Sequence, residues 1–212
     1  MAIYENGIVG PFEGRVGNVV GYRWRGKFVM RTVPKTKKRR KSTDKQLASR
    51  ARLSLMQAYL QPRIEFIRKG FSLAPELNKM SAFNAAMSYN LKNSISGDYP
   101  EFKIDYSKVV FSRGDLELPE DIKMSQEGEG LCLSWSTEEK GNASYDDQVM
   151  IMLSGIKDVY GSHSGNQRYV GKEIISLEGV TPGIELFVHI AFISDDRQRV
   201  SDSLYLGSVI VA

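Results

Sequence analysis

The sequence predicts an α+β protein: an N-terminal β-hairpin and a helical pair, followed by a C-terminal β-sandwich of the fibronectin type III or immunoglobulin-like kind. Three observations carry that reading. The stretch 14–34, GRVGNVVGYRWRGKFVMRTVP, alternates β-branched and aromatic residues with glycine and charge around a Gly-containing turn. Apolar residues then recur at helical spacing between Thr43 and Gly97. From about residue 102 the period returns to two, in about seven short runs separated by Gly, Asn, Asp and Pro.

Each element has a local reason. Val20, Tyr22 and Trp24 alternate with Gly21 and Arg23, and after Arg25-Gly26 the run 27–33 is again rich in β formers, which reads as a hairpin. Gly14, Gly17 and Gly21 in its first strand signal bulges or a close backbone approach. Pro34 ends the second strand. A lone hairpin is marginal in water, so this one needs a neighbour to pack on. Thr43 with Gln46 three positions later matches a capping box, and Leu47, Ala51, Leu55, Ala58 and Tyr59 follow at helical spacing. Pro62 kinks or restarts that helix, and Gly70 is its expected C-cap. A second helix is expected from about Ser81 to near Gly97, with Phe83, Ala86, Met87 and Leu91 on one face.

Strands are expected at 108–111, 122–125, 131–135, 148–153, 173–177, 186–193 and 203–211. Trp135, with no cysteine pair beside it, fits a fibronectin type III-like sandwich better than an antibody-type domain. The expected division is therefore 1–101, a hairpin and helical region with a basic loop at 34–42, and 102–212, the sandwich.

Composition bounds the function. With 212 residues, 42% of them hydrophobic and 25% charged, the chain can bury a real core. No run approaches the roughly 18 to 20 apolar residues of a membrane span. The opening MAIYENGIVGPFEGRVG lacks the basic-then-apolar order of a secretory signal. The single Cys132 excludes an internal disulfide framework and a Cys-rich zinc site. A reducing, aqueous compartment is expected.

The net charge of +4 hides an asymmetry. Residues 1–70 hold 17 Lys or Arg against 4 acids, and residues 71–212 hold 12 against 21, so a basic front of +13 precedes an acidic back of −9. The front can meet an anionic partner, copies can stack front to back, or the halves can face each other.

Catalytic patterns are weak. His189 alternates with Val188 and Ile190 in VHIAF, the setting of a structural strand histidine, and His163 lies in a Gly/Ser loop. GSHSG at 161–165 lacks the central serine of a nucleophile elbow. In GNQRYVGK, 165–172, five residues rather than four separate the glycines, and Glu173 stands where a Ser or Thr would hold magnesium. The pairs Asp146-Asp147 and Asp195-Asp196 fall at expected turns. The expectation is a non-enzyme with no cofactor, metal or small-molecule substrate.

The basic front supplies the candidate contacts. Arg23 and Arg25 flank Trp24, and such basic-aromatic interleaving suits stacking on exposed bases. Lys35, Lys37, Lys38, Arg39, Arg40 and Lys41 have the composition of a nucleic-acid arm or nuclear signal, and Lys45 and Arg50 extend positive charge onto the first helix. Residues 35–42 are expected to be disordered alone, because so little of them can be buried.

Taken together, NGIVGPFEGRVGNVVGYRWRGKFVMRTVPK, STDKQLASRARLSLMQAYLQP, SAFNAAMSYNLKNSISGDYPEFKIDYSKVVFSRGDL and AFISDDRQRVSDSLYLGSVIV resemble a family of unknown function of Bacteroidetes bacteria, DUF6266, over essentially the full chain. The resemblance implies a bacterial or phage source and carries over no site residues. A second likeness, to small virion proteins of tailed phages, covers Arg15 to Gly17, Arg31, and Thr43, Gln46 and Arg50. It implies a basic arm that clamps a neighbouring subunit or lies along packaged DNA.

The expected function is that of a non-catalytic structural or interaction protein, cytoplasmic or virion-associated. It would dock through its basic N-terminal region into a larger assembly such as a phage or prophage particle. A protein partner or self-assembly is expected. The alternative is a nucleic-acid-binding protein that uses the basic loop and the hairpin.

Overall fold

The computed structural model describes residues 2–4, 10–33, 41–74, 80–127, 130–156 and 158–211. Its contacts divide the chain into two units, residues 1–42 and 43–212. Residues 101 and 102, where the sequence pattern changes from helical to alternating, fall inside the second unit.

The first unit is one antiparallel sheet in sequence order: β1 (Ala2–Tyr4), β2 (Phe12–Val16), β3 (Val19–Trp24) and β4 (Lys27–Thr32). The turn between β3 and β4 lies where the sequence puts it. Arg25 and Gly26 both take positive φ, 48° and 76°, the backbone of a type I′ hairpin turn. The glycine-rich stretch before it is not one strand but two. Gly17, at φ 55°, turns the chain at Gly17-Asn18, so the expected hairpin is part of a four-stranded meander.

In the second unit, α1 (Asp44–Leu60) opens on the full capping box formed by Thr43 and Gln46. A 3₁₀ turn at Gln61–Arg63, with Pro62 in it, separates α1 from α2 (Ile64–Gly70). The chain can restart as a helix there because Pro62 sits at the start of a new turn, where an N–H is not required. The buried side of α1 overlaps the expected one at Tyr59, with Ala51 and Leu55 half-buried, and departs from it elsewhere. Met56, Tyr59 and Leu60 are buried, whereas Leu47 and Ala58 are exposed. Gly70 is the last residue of α2 and lies so close to the 111–112 backbone that a Cβ would meet the Phe111 carbonyl at 2.2 Å. Ser81 caps α3 (Ala82–Asn93), which buries Ala85, Ala86, Met87 and Asn90.

A short pair, β5 (Ile95–Ser96) with β6 (Lys103–Ile104), leads out of α3. Seven further strands follow: β7 (Lys123–Glu127), β8 (Gly130–Ser134), β9 (Gln148–Ser154), β10 (Val159–Ser162), β11 (Lys172–Ser176), β12 (Glu185–Ile193) and β13 (Leu204–Ile210). They form two antiparallel sheets, of order β11-β8-β7 and β10-β9-β12-β13. Leu131 and Leu133 from one sheet share a core with Val149, Ile151, Leu153, Val188, Ile190 and Phe192 from the other.

The opposite side of β9 joins the helices. Met152 packs in one cluster with Met56, Tyr59, Leu60, Ile67 and Phe71. Covered on both faces, β12 is buried from Leu186 to Ile193, which is why ELFVHIAFI reads as a continuous apolar run rather than an alternating one.

The strand expected at 108–111 does not form. A 3₁₀ turn spans Tyr106–Lys108, and Val109 and Phe111 point into the helical cluster. Side chains satisfy the backbone groups a ladder would have used: Val110 N donates to Asn90 Oδ1 at 2.9 Å and Phe111 N to Ser203 Oγ at 2.9 Å. Strand β10 lies where none was expected, pairing with β9 from Ser154 to Ile151.

Candidate interaction surface

The register of the N-terminal sheet sorts its side chains onto two faces. On one face Arg15 lies opposite Val20, and Val20 opposite Arg31. Beside this row Tyr22 faces Val29 and Trp24 faces Lys27. On the other face Val16, Val19 and Thr32 form one row, Gly14, Gly21 and Met30 a second, and Arg23 faces Phe28. Gly21 is required there, since a Cβ would meet the Phe12 carbonyl at 2.2 Å and its ring at 3.0 Å.

Guanidinium groups lie over the aromatic rings. Arg23 sits 4.7 Å from the centre of Phe28, Arg25 5.2 Å from Trp24 and Arg31 5.5 Å from Tyr22. The acid nearest Arg23, Glu13, is 4.0 Å away with both groups about half exposed, a weak pairing. Among residues 10–33 only Gly21 is buried. Trp24 remains 58% exposed and Met30 67%, with Val16, Tyr22 and Phe28 also open to solvent.

Arg23, Trp24 and Arg25 all lie at the end of the β3–β4 hairpin, with Arg25 over the Trp24 ring and Arg23 on the opposite face of the sheet. Lys35, Lys37, Lys38, Arg39 and Arg40, and the expectation of a disordered arm, lie outside the described residues. Lys41 is exposed just ahead of α1, and Lys45 and Arg50 are exposed on it. Lys45 lines an open groove of about 740 Å³ together with Arg52, Leu53, Lys92, Tyr99 and Phe102. In that groove Arg52 Nη2 donates to the Leu91 carbonyl at 2.8 Å and its guanidinium lies 5.7 Å from the Phe102 ring centre. Arg15, Lys27 and Arg31 were not among the expected candidates. Composition does not single them out, but pairing the strands across Arg25-Gly26 places Lys27 and Arg31 on the face of Trp24.

Neither histidine offers general-base geometry. His189 is 2% exposed, edge-on to Phe111 at 4.9 Å, and burial lowers its pKa to about 4. The carbonyls of Tyr106, Phe187 and Val109 and the charge of Arg63 are smaller influences, and among the described residues no carbonyl meets a ring nitrogen in hydrogen-bond geometry. The ring borders a small space of about 20 Å³ with Phe66, Met150, Met152 and Ser203. His163 stacks on Phe66 at 3.9 Å. Burial lowers its pKa first, then the charge of Lys69, against an opposing pull from Glu65. Among the described residues no three His, Cys, Asp or Glu side chains gather where they could hold a metal ion. No helix among them is long and apolar enough to cross a membrane.

A model of a family of unknown function, DUF6266, matches residues 11–207. This chain belongs to the DUF6266 family. The DUF6266 match starts at Pro11, ahead of β2, and ends at Gly207 within β13, so it takes in strands of the N-terminal sheet and nearly all of the second unit. None of the curated proteins matches the chain.

Proposed function

We propose that this DUF6266 chain is a non-catalytic structural and interaction protein that docks through its basic N-terminal region into a larger assembly. One observation carries the reading. A four-stranded sheet with its own compact set of contacts buries only Gly21 among residues 10–33, and leaves Trp24, Met30, Phe28 and Val16 in solvent. Small sheets are stable when something covers a face, and exposed apolar patches of this kind mark contact surfaces. Trp24, with Arg25 over its ring, has the make-up of an interface anchor.

We read the seven strands of 123–210 as a fibronectin type III-like sandwich that acts as the rigid body of the particle-facing or neighbour-facing module. Support comes from how the strands divide. The first, second and fifth form one sheet, and the third, fourth, sixth and seventh the other, the division of immunoglobulin-like Greek keys.

The test is gradient sedimentation of native extracts from cells making the full chain or its Trp24→Ala variant. The wild type is expected in a species well above its own 23.8 kDa, and the variant in lighter fractions. Sedimentation of both as free chains would remove the reading. A nucleic-acid-binding role is the second reading, favoured by the same basic-aromatic face. It predicts affinity for mixed-sequence DNA or RNA that falls steeply with salt.

A further inference from the structure

We infer that the cationic-aromatic face of the N-terminal sheet receives a second copy of this chain, which presents the acidic end of its β region, so that copies join head to tail. The inference rests on the docking role proposed above and names the partner.

The acidic end is assembled by contacts between two segments remote from each other in sequence. Asn142 Nδ2 donates to the Asp115 carbonyl at 2.9 Å, and Glu117 N donates back to Asn142 Oδ1 at 3.0 Å. Ser136 N donates to the Glu120 carbonyl at 2.9 Å, and Lys140 Nζ lies 2.6 Å from Glu120 Oε1. Segments 115–121 and 136–146 are thereby held side by side. Together they hold seven Asp or Glu and one Lys. All seven carboxylate residues are exposed, as is Tyr145 at 52%. Lys140 pairs with Glu120 and is the one Lys or Arg of the two segments, so seven carboxylates meet a single cation within them.

The N-terminal sheet is the complement of this surface. Residues 10–33 hold five Lys or Arg and one Glu. A guanidinium lying over a ring keeps its N–H edge directed outward, and that edge is the geometry that grips a carboxylate. The same stacking favours carboxylates over bases. On this face one side each of the Tyr22 and Trp24 rings is already occupied by a guanidinium, which reduces the ring area on which a base would stack. The two surfaces are different patches of one chain, so their pairing is heterologous and passes from copy to copy into a ring or an open filament. Complementary exposed charges make the contact salt-sensitive.

The experiment is sedimentation velocity of the purified, nucleic-acid-free full chain across a range of concentrations, at low and high salt. Alongside run Lys27→Gln/Arg31→Gln, Glu138→Gln/Asp146→Asn, and an equimolar mixture of the two variants. The wild type is expected to form species above the monomer that dissolve at high salt, and each variant alone to associate at least about tenfold more weakly. Each variant retains one intact surface, so the mixture is expected to form a 1:1 pair that grows no further. A wild type that stays monomeric throughout, variants that assemble as well as it does, or assembly that needs added DNA overturns the inference. If the wild type is monomeric when pure, yet its Trp24→Ala variant loses a heavy complex in extracts, docking stands and the partner is another molecule. If no heavy complex exists in extracts either, the docking role falls with it.

Discussion

Arg63, in the 3₁₀ turn between α1 and α2, donates through Nη2 to the carbonyl of Gly155 at the end of β9. Its Nη1 donates to the Tyr59 carbonyl, and its guanidinium lies 3.9 Å from the centre of the Tyr59 ring. The side chain is fully buried, and among the described residues no carboxylate lies within ion-pair distance. Burial lowers its pKa, while Tyr59, Tyr106 and Asp158 pull it back up. Two carbonyl dipoles and a ring therefore hold a buried charge that ties the helices to the sheet.

Arg63→Ala is expected to destabilise the second unit by about 3–5 kcal/mol, because it leaves a cavity and two carbonyls without a charged donor. Arg63→Met keeps the volume and removes the charge, so its loss is expected to be smaller. Urea titration of both variants measures the two losses. An alanine variant within about 1 kcal/mol of wild type would show the clamp to be dispensable.

Stability is expected to depend on pH through His189. Its folded pKa of about 4 lies below the ordinary 6.5, so between those values the unfolded chain binds a proton that the folded chain does not. The contribution is complete above pH 6.5 and is lost as pH falls towards 4, a decline of about 3 kcal/mol. The lowered pKa of His163 acts in the same direction. His189→Leu is expected to flatten most of this slope in denaturant titrations at pH 7, 6, 5 and 4. An unchanged slope would mean that His189 is hydrated or partnered in the folded protein.

A second buried charge is held differently. Arg168 and Asp147 are 1% and 2% exposed at their side chains and approach to 3.2 Å. Arg168 Nη2 also donates to the Glu117 carbonyl at 2.7 Å, and Trp135 Nε1 donates to the Arg168 carbonyl at 2.9 Å. Asp147→Ala leaves a guanidinium buried without its counter-charge, and a loss of roughly 3–5 kcal/mol is expected. Asp147→Leu with Arg168→Met removes both charges and is expected to lose less than the two single changes together. Strict additivity in that cycle would mean the two groups do not act as a pair.

How legible these features are in the sequence depends on whether their cause is local. The Thr43–Gln46 cap, the break at Pro62 and the Arg25-Gly26 turn are set by neighbours within a few residues, and all three lie where the sequence puts them. Val109 and Phe111 have the composition of a strand, but Asn90 and Ser203, distant in sequence, take the hydrogen bonds a ladder needs. Arg168 shows the same limit. Its stretch GNQRYVGK reads as a failed phosphate loop, and only the fold reveals that it answers Asp147. Trp24 with its two arginines was visible as a surface candidate, whereas the rows that add Arg15, Lys27 and Arg31 needed strand register.

Gly21 separates the stability of the N-terminal sheet from that of the rest of the chain. A Cβ at this position falls 2.2 Å from the Phe12 carbonyl, which belongs to the backbone and can yield only if β2 moves away from β3. Gly21→Val is therefore expected to open the sheet. The second unit has its own contacts and its own core, so its unfolding midpoint is expected to hold. Hydrogen–deuterium exchange followed by mass spectrometry reads both regions at once. Amides of β2, β3 and β4 are expected to exchange at least about tenfold faster in the variant, with β9 and β12 unchanged. Loss of protection in β9 and β12 as well would show that the sheet supports the second unit's core, and equal protection everywhere would show that β2 can accommodate the new side chain.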